Sequence, residues 1–172
     1  ILTGGAGSGK TYLSLSYIMQ QIENYEIPLY IVTDNIPLRG SHTFGLKKGD
    51  ILQKVLQSNL GNILKNKIGI DQVTALIDRE KINIVALEDI RGMSIDGIVY
   101  ATEVQNYMDD HLKTVLERLE GEFGQAILEG DQRQIDTHQA KGKNSGINRV
   151  CEVFQGTGVF GHVELKGNQR KG

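Results

Sequence analysis

A run of small residues followed by a lysine and a threonine is the clearest chemical feature of the chain. The segment Gly4-Gly5-Ala6-Gly7-Ser8-Gly9-Lys10-Thr11 matches the pattern G-x-x-x-x-G-K-[ST] in full. Small side chains let consecutive backbone N–H groups curl around phosphate oxygens, and the helix that follows adds its positive end. The lysine ammonium reaches the β- and γ-phosphates, and the threonine hydroxyl is a ligand for Mg²⁺. We therefore expect a site for a magnesium-bound nucleoside triphosphate. The lack of an Asn-Lys-x-Asp guanine motif favours ATP.

A phosphate loop of this kind needs a carboxylate on a neighbouring strand, for the metal and for water activation. Two strand ends compete for this role. The apolar run Ile82–Leu87 is followed by Glu88 and Asp89, whereas the run Gly97–Val104 carries Glu103. On pattern alone, two acids at the end of an apolar strand favour Glu88 and Asp89.

The elements that must position these residues alternate along the chain. Short apolar, β-branched runs predict buried strands at 28–33, 82–87, 97–104, 125–128 and 162–166, after a stub at 1–3. Helices are predicted at 10–23, at 147–154 and along the apolar stripe that runs from Met108 to Leu119. This alternation predicts an α/β fold with a mostly parallel sheet and helices on both faces.

Residues 35–81 lie between two predicted strands, and many of their apolar residues have the spacing of three to four that is typical of helices. Stretches 50–67 and 71–81 predict two helices, and Gly61 is expected to interrupt the first. We interpret residues 35–81 as a helical insertion that forms a small subdomain.

Composition sets the remaining limits. The chain has 172 residues, 39% hydrophobic and 23% charged, with a net charge of −2, which predicts one globular domain over residues 1–172. The single cysteine, Cys151, excludes an internal disulfide framework. No apolar run reaches the length of about 18 residues that a membrane helix needs, so we expect a cytoplasmic protein with no membrane partner. Because the chain opens on Ile1, as if within a strand, we expect it to be part of a longer protein.

The order and spacing of these motifs resemble the PhoH-like family of P-loop ATPases, which is close to superfamily 1 helicases. The matching segments besides the phosphate loop are Phe44–Asp50, Arg91–Ser94, Glu103–Asn106, Gly130-Asp131 with Gln134–Asp136, and Ser145-Gly146. The resemblance covers nearly all of the chain. It implies a RecA-like P-loop domain that hydrolyses Mg-ATP, coupled to remodelling of RNA or single-stranded nucleic acid.

The resemblance also changes the choice of catalytic acid. In the family the Walker B strand ends in D-E-A-Q-N, and the corresponding residues here are Thr102-Glu103-Val104-Gln105-Asn106. Glu103 is then the base or water-orienting group, and Gln105 lies beside the γ-phosphate. The family's magnesium-side aspartate is Thr102 in this chain. The resemblance therefore implies a metal held by Thr11 and Thr102, with Asp131 as a substitute carboxylate if its strand lies adjacent.

Two further residues take roles from the resemblance. Gln134, at the end of Gly130-Asp131-Gln132-Arg133-Gln134, corresponds to the γ-phosphate sensor. Arg170 corresponds to a late arginine that stabilises charge on the transferring phosphoryl group, in the same chain or across a homo-oligomer interface.

The partner of the domain stays open at this point. Residues 141–172 carry six basic and two acidic side chains. Such an excess of positive charge suits a segment that contacts the phosphate backbone of single-stranded nucleic acid. Few aromatics are available to stack bases, since they make up 6% of the chain. The alternatives are a helicase-like motor, a nucleotide switch acting on a protein partner, and a weakly active interaction module.

Overall fold

The sheet consists of six parallel strands. The computed structural model describes residues 1–5, 7–33, 48–107, 109–131 and 146–167. Within these ranges the strands are β1 (Leu2–Gly4), β2 (Leu29–Thr33), β3 (Ile82–Ala86), β4 (Ile98–Ala101), β5 (Gln125–Gly130) and β6 (Val163–Leu165). Their order across the sheet is β3-β2-β4-β5-β1-β6, and every neighbouring pair is parallel. The predicted α/β fold with a parallel sheet is confirmed.

Helices cover both faces of this sheet. They are α1 (Lys10–Tyr25), α2 (Lys48–Gln57), α3 (Asn59–Ile68), α4 (Ile70–Asp78), α5 (Asp109–Glu117) and α6 (Gly146–Phe154). A short 3₁₀ turn at Leu87–Gly92 follows β3, and another at Val104–Asn106 lies between β4 and α5. Among the described helices, none combines the length and the apolar character that crossing a bilayer requires.

The described helices between β2 and β3 bury apolar side chains in the main core. Val55, Leu64 and Val73, one from each of α2–α4, are buried in the same cluster as Ile18 of α1 and Leu29 of β2. A helix that buries one apolar stripe gains most of its stability from such packing. Helices α2–α4 thus share a core with α1 and β2, and the helical insertion over residues 35–81, of which residues 48–81 are described, stays a prediction.

The second face of the sheet carries α5 and α6. Leu112 and Val115 of α5 and Ile147 of α6 pack with Val99 and Leu128, from the central strands β4 and β5. Val99, Leu112, Val115 and Ile147 are fully buried. Two apolar layers on opposite faces hold β4 and β5 rigidly, and these strands carry the candidate acids.

The break in the insertion lies at Ser58, and the prediction that Gly61 interrupts the helix is wrong. Ser58 caps α3, because its hydroxyl accepts a hydrogen bond from the Gly61 N–H at 3.0 Å. Gly61 lies inside α3, where an added Cβ would sit 1.8 Å from the Val55 carbonyl oxygen. Glycine is needed here so that the end of α2 can pass close to the first turn of α3.

Candidate nucleotide-binding site

The phosphate loop connects β1 to α1 and is shaped by glycines with positive φ. Gly7 and Gly9 have φ angles of 77° and 96°, a left-handed region that other residues rarely adopt. Gly9 is the N-cap of α1, no side chain caps the helix, and its first turn holds no acidic residue. The first N–H groups of α1 therefore point at the loop without a competing carboxylate, as an anion site requires.

Gly4 and Ser8 set the tightness of the loop. An added Cβ on Gly4 would lie 2.5 Å from the Leu165 carbonyl oxygen and 2.7 Å from the Ser8 hydroxyl oxygen. The Ser8 hydroxyl is buried and has no hydrogen-bond partner within the described part of the chain. An unpaired buried hydroxyl costs about 1–3 kcal/mol, and a phosphate oxygen is an acceptor that would satisfy it. The loop thus fits a phosphate group.

The lysine and the pocket lie on the same side of the loop. The Lys10 ammonium donates hydrogen bonds to the carbonyl oxygens of Gly4 at 2.7 Å and Gly5 at 3.0 Å. Beside it is a pocket of about 740 Å³, within the usual volume of small-molecule sites. Its walls are the loop, helix α3 and the carboxyl ends of β4 and β5. The structure places Gly7, Ser8, Gly9, Lys10, Thr11, Thr102, Glu103 and Asp131 in this lining.

Thr11, the predicted metal ligand, is bonded to a carboxylate that the sequence analysis left without a role. Its hydroxyl donates to Glu129 at 3.0 Å and accepts from the Asn59 side-chain amide at 3.1 Å. The Tyr100 hydroxyl donates to the other oxygen of the Glu129 carboxylate. Glu129 is 2% exposed and lines the pocket floor. The feature of the sequence that could have pointed to Glu129 is an acidic residue at the end of an apolar strand, in Ala126-Ile127-Leu128-Glu129-Gly130.

Burial and hydrogen bonds act on Glu129 in opposite directions. Removal from water raises the pKa of the Glu129 carboxyl. The hydroxyls of Tyr100 and Thr11 and the positive charge of Lys10 lower this pKa, yet the net direction is upward. For Tyr100, burial and the neighbouring Glu129 charge raise the pKa, which keeps its phenol protonated as the donor. Burial therefore outweighs the hydrogen bonds and the positive charge that favour the ionised form of Glu129.

Glu103 lines the same pocket and is held by Gln105. The Gln105 amide donates to the Glu103 carboxylate at 2.6 Å, and its carbonyl accepts from the Asp131 backbone N–H at 3.0 Å. Gln105 is 1% exposed and does not line the pocket. The structure places its side chain against Glu103. The predicted contact between Gln105 and ATP stays a prediction. Glu103 adopts a left-handed backbone with φ 55°, which costs a non-glycine residue about 1–2 kcal/mol. Such strain clusters at functional sites.

The alternative acids lie at the far edge of the sheet. Glu88 and Asp89 follow β3, which is four strand positions from β1. At about 4.8 Å per strand, this separation is roughly 19 Å. Neither residue lines the pocket. The strand pattern alone thus favoured a pair outside the phosphate site, and the structure places Glu103 inside it.

Helix α3 supplies a wall that the sequence analysis also missed. Asn59, Asn62 and Asn66 line the pocket together with Ile63. Their spacing of three and four residues puts the three carboxamides on one helix face, and this periodicity was the available signal. The helical insertion thereby contributes polar groups to the site.

Several predicted site residues lie outside the described ranges. These are Ala6 of the phosphate loop, the sensor candidate Gln134 and the arginine Arg170. Their roles stay predictions, as does the homo-oligomer that Arg170 would serve.

The fold and the loop together define the class of protein. A parallel sheet whose first strand runs through G-x-x-x-x-G-K-T into a helix, with β5 between β1 and the acid-bearing β4, is a RecA-like P-loop domain. A model of the family described as PhoH-like protein matches residues 1–170. The chain belongs to the PhoH-like family.

Curated relatives agree with this assignment. A PhoH-like protein of Bacillus subtilis (strain 168) is 32% identical over 165 residues, which cover 94% of this chain and 50% of the relative. Protein PhoH2 of the same organism is 32% identical over 180 residues, covering 99% of this chain and 40% of the relative. Protein PhoH of Escherichia coli (strain K12) is 28% identical over 168 residues, with 95% and 46% covered. The chain thus spans half or less of the length of these relatives.

Proposed function

We propose that this chain binds Mg-ATP and hydrolyses it by in-line attack of water. The observation that carries the proposal is that residues of the phosphate loop, Thr11 and Glu103 line one and the same pocket. Family membership supports nucleotide binding, since the PhoH-like family is a P-loop ATPase family.

Binding falls to the loop and to the start of α1. Gly4–Gly9 surround the phosphates with backbone N–H groups, and the Ser8 hydroxyl gains the acceptor that it lacks among the described residues. Lys10 exchanges its two carbonyl partners for phosphate oxygens. Because the loop is already bent, little conformational entropy is lost on binding.

A magnesium site fits the same residues. Thr11, Thr102 and Asp131 would hold the ion beside the phosphates, and Mg²⁺ supplies neutralisation of phosphate charge when bound. Among the described residues no group of three acidic, histidine or cysteine side chains forms a metal cluster. This suits Mg²⁺, which keeps several waters and binds through few protein carboxylates.

Hydrolysis requires a group that orients water, and Glu103 has the position for it. Its carboxylate is exposed to the pocket and is restrained by the Gln105 amide. A fixed carboxylate can accept a proton from water as it attacks. Gln134 as sensor and Arg170 as charge stabiliser complete the proposal.

Coupling to single-stranded RNA or DNA is the finer part of the proposal. A second cleft of about 420 Å³ adjoins the nucleotide pocket and shares Asn59, Thr102 and Glu103 with it. Lys54 of α2 lines this cleft and offers a cation to a phosphate backbone. A ligand there would touch the wall that carries Glu103, which gives a route from substrate binding to turnover.

Calorimetry and turnover assays on three variants test the proposal. Lys10→Ala removes charged hydrogen bonds worth about 1.5–3 kcal/mol, so ATP affinity should fall about 10- to 150-fold. Glu103→Gln should leave affinity close to the original and lower kcat about 10²- to 10⁴-fold. Glu88→Gln, an exposed acid at the far edge, is the matched control and should change neither.

The outcomes separate the candidate functions. Turnover that rises with single-stranded RNA or DNA supports the motor, and turnover indifferent to nucleic acid supports a switch for a protein partner. Tight binding without turnover supports an interaction module. A folded chain that takes up no nucleotide with Mg²⁺ present contradicts the whole proposal.

A further inference from the structure

We propose that Glu129 supplies the carboxylate on the metal side of the site, which a threonine at position 102 cannot supply. The negative charge beside Thr11 then comes from β5 and not from the end of β4. The proposal rests on the proposed Mg-nucleotide site and assigns a residue of that site. Its starting observation is the hydrogen bond from the Thr11 hydroxyl to the Glu129 carboxylate at 3.0 Å.

Strand register puts Glu129 beside Thr102. Ala101 of β4 pairs with Leu128 of β5, and Thr102 and Glu129 each follow one residue later. Neighbouring positions on parallel strands share a face of the sheet and lie about 4.8 Å apart. A glutamate side chain is one methylene longer than an aspartate side chain. The extra length helps a carboxylate on β5 to reach the place of the aspartate that the family has at the end of β4.

The contacts of Glu129 suit a residue that acts on a metal ligand. In P-loop proteins the loop hydroxyl and a strand carboxylate hold the magnesium side together. Here the Thr11 hydroxyl donates a hydrogen bond to Glu129 and accepts one from the Asn59 amide, which leaves one lone pair of the hydroxyl oxygen for a cation. Tyr100, two residues before Thr102 on β4, donates to the second carboxylate oxygen and fixes its orientation. Partners that orient a metal ligand commonly contribute 10–100-fold in metal affinity.

Charge balance points the same way. A buried carboxylate is costly unless cations or hydrogen bonds compensate its charge. The Thr11 and Tyr100 hydroxyls that donate hydrogen bonds to Glu129 are neutral groups. A divalent cation at Thr11 would complete the compensation.

The test measures the metal dependence of nucleotide affinity. ADP affinity is determined by calorimetry with Mg²⁺ and with EDTA, and bound Mn²⁺ is counted by electron paramagnetic resonance in the presence of ADP. Glu129→Gln should reduce the Mg²⁺-dependent gain in affinity about 10- to 100-fold. Its affinity in EDTA should be unchanged or tighter, because a negative charge near the phosphates is gone.

A rescue variant separates this role from a merely structural one. The double variant Glu129→Gln with Thr102→Asp returns a carboxylate to the β4 position and should restore the Mg²⁺ dependence to within about threefold. Thr102→Asp alone should bring no comparable gain, because the charge is already present. Glu88→Gln is the control for loss of an acid elsewhere. Circular dichroism and thermal unfolding establish that each variant is folded.

A measurement on the unaltered chain covers the case in which Glu129→Gln does not fold. Mn²⁺-ADP should broaden the side-chain carboxyl NMR signal of Glu129 beyond detection and leave that of Glu88 sharp. The inference is overturned by an unchanged Mg²⁺ dependence in folded Glu129→Gln, or by a sharp Glu129 signal. Failure of the unaltered chain to bind ADP at all would instead remove the proposed function, and this inference with it.

Discussion

Gln105 is the side chain on which the position of Glu103 depends. It bridges the Glu103 carboxylate and the Asp131 N–H while almost fully buried. Gln105→Leu keeps a side chain of comparable size but leaves the Asp131 N–H without its acceptor. A buried unsatisfied group costs about 1–3 kcal/mol, so urea unfolding should show a loss of this size. Because Glu103 also loses its restraint, kcat should fall more than tenfold while KM changes little, as for a positioning group.

Gln155→Leu, at an exposed glutamine after α6, is the control for this prediction. It should leave both the free energy of unfolding and kcat within error of the original. An unchanged kcat in a folded Gln105→Leu variant would show that Glu103 does not depend on its partner.

At the residue scale the sequence could predict the phosphate loop but not its surroundings. The loop is a local pattern of eight adjacent residues, Gly4–Thr11, so its chemistry follows from spacing alone. The role of Glu129 follows from contact with Thr11, 118 residues away in sequence, and no local pattern encodes it. Glu88 and Asp89 had the better local pattern, but sheet order places them at the wrong edge.

The junction of α2 and α3 shows how one glycine sets the geometry of an element. Gly61→Ala places a Cβ 1.8 Å from the Val55 carbonyl oxygen, so the two helices must separate. Forced overpacking of this kind costs about 1–3 kcal/mol or more. Because α3 carries Asn59, which bonds to Thr11, nucleotide affinity should fall as well. Thermal unfolding and calorimetry measure the two effects.

Gly49 offers the matched control for this substitution. It lies in the first turn of α2, and an added Cβ meets nothing within 4 Å. Gly49→Ala should stabilise the protein by up to about 1 kcal/mol, the helix-propensity difference between glycine and alanine. If both alanine variants behave alike, the contact with Val55 does not determine the geometry of the junction.

Helix α1 ends at a residue that glycine would suit better. Glu26 is its C-cap, with φ 54° in the left-handed region, and its salt bridge to Arg79 joins two side chains that are 69% and 58% exposed. Exposed pairs contribute little, whereas glycine removes the steric cost of the left-handed backbone. Relief of the left-handed strain is worth about 1–2 kcal/mol, and the greater freedom of glycine in the unfolded chain offsets about 0.4–1 kcal/mol of it. Glu26→Gly should therefore raise the free energy of unfolding by about 0.5–1 kcal/mol, with ATP turnover unchanged. A loss of stability would show that the ion pair outweighs the backbone strain.

At the element scale, periodicity predicted helices because a helix buries one apolar stripe, and apolar runs predicted strands because β2, β3 and β4 are largely buried. The stripe predicted from Met108 to Leu119 became α5, and the β-branched run before Asp34 became β2. The break at Ser58 was missed because a capping serine inside a helical pattern resembles a surface residue until its hydroxyl is seen to accept the Gly61 N–H. The asparagines on one face of α3 were missed as site residues because tertiary packing decides that this face lines the pocket.

At the scale of the whole molecule, the site exists because all strands of the described sheet run in one direction. Glu103 and Asp131 follow β4 and β5, and the phosphate loop follows β1, so parallel carboxyl ends bring them to one edge. Residues as far apart in sequence as Gly7 and Asp131 thus line one pocket. A ligand that joins these strands should stabilise the entire domain, since it binds the folded state alone.

Thermal unfolding with nucleotide measures this coupling directly. At a ligand concentration of 100 times Kd, binding stabilises the folded state by about 2.7 kcal/mol. For a domain of 172 residues, each kcal/mol shifts Tm by about 2–4 °C, so Mg-ATP or Mg-ADP should raise Tm by about 5–11 °C. Lys10→Ala at the same nucleotide concentration should show little of this shift, and EDTA should reduce it in the original chain. A larger shift with GTP than with ATP would contradict the preference for adenine, and equal shifts in the Lys10→Ala variant would place the nucleotide outside the phosphate loop.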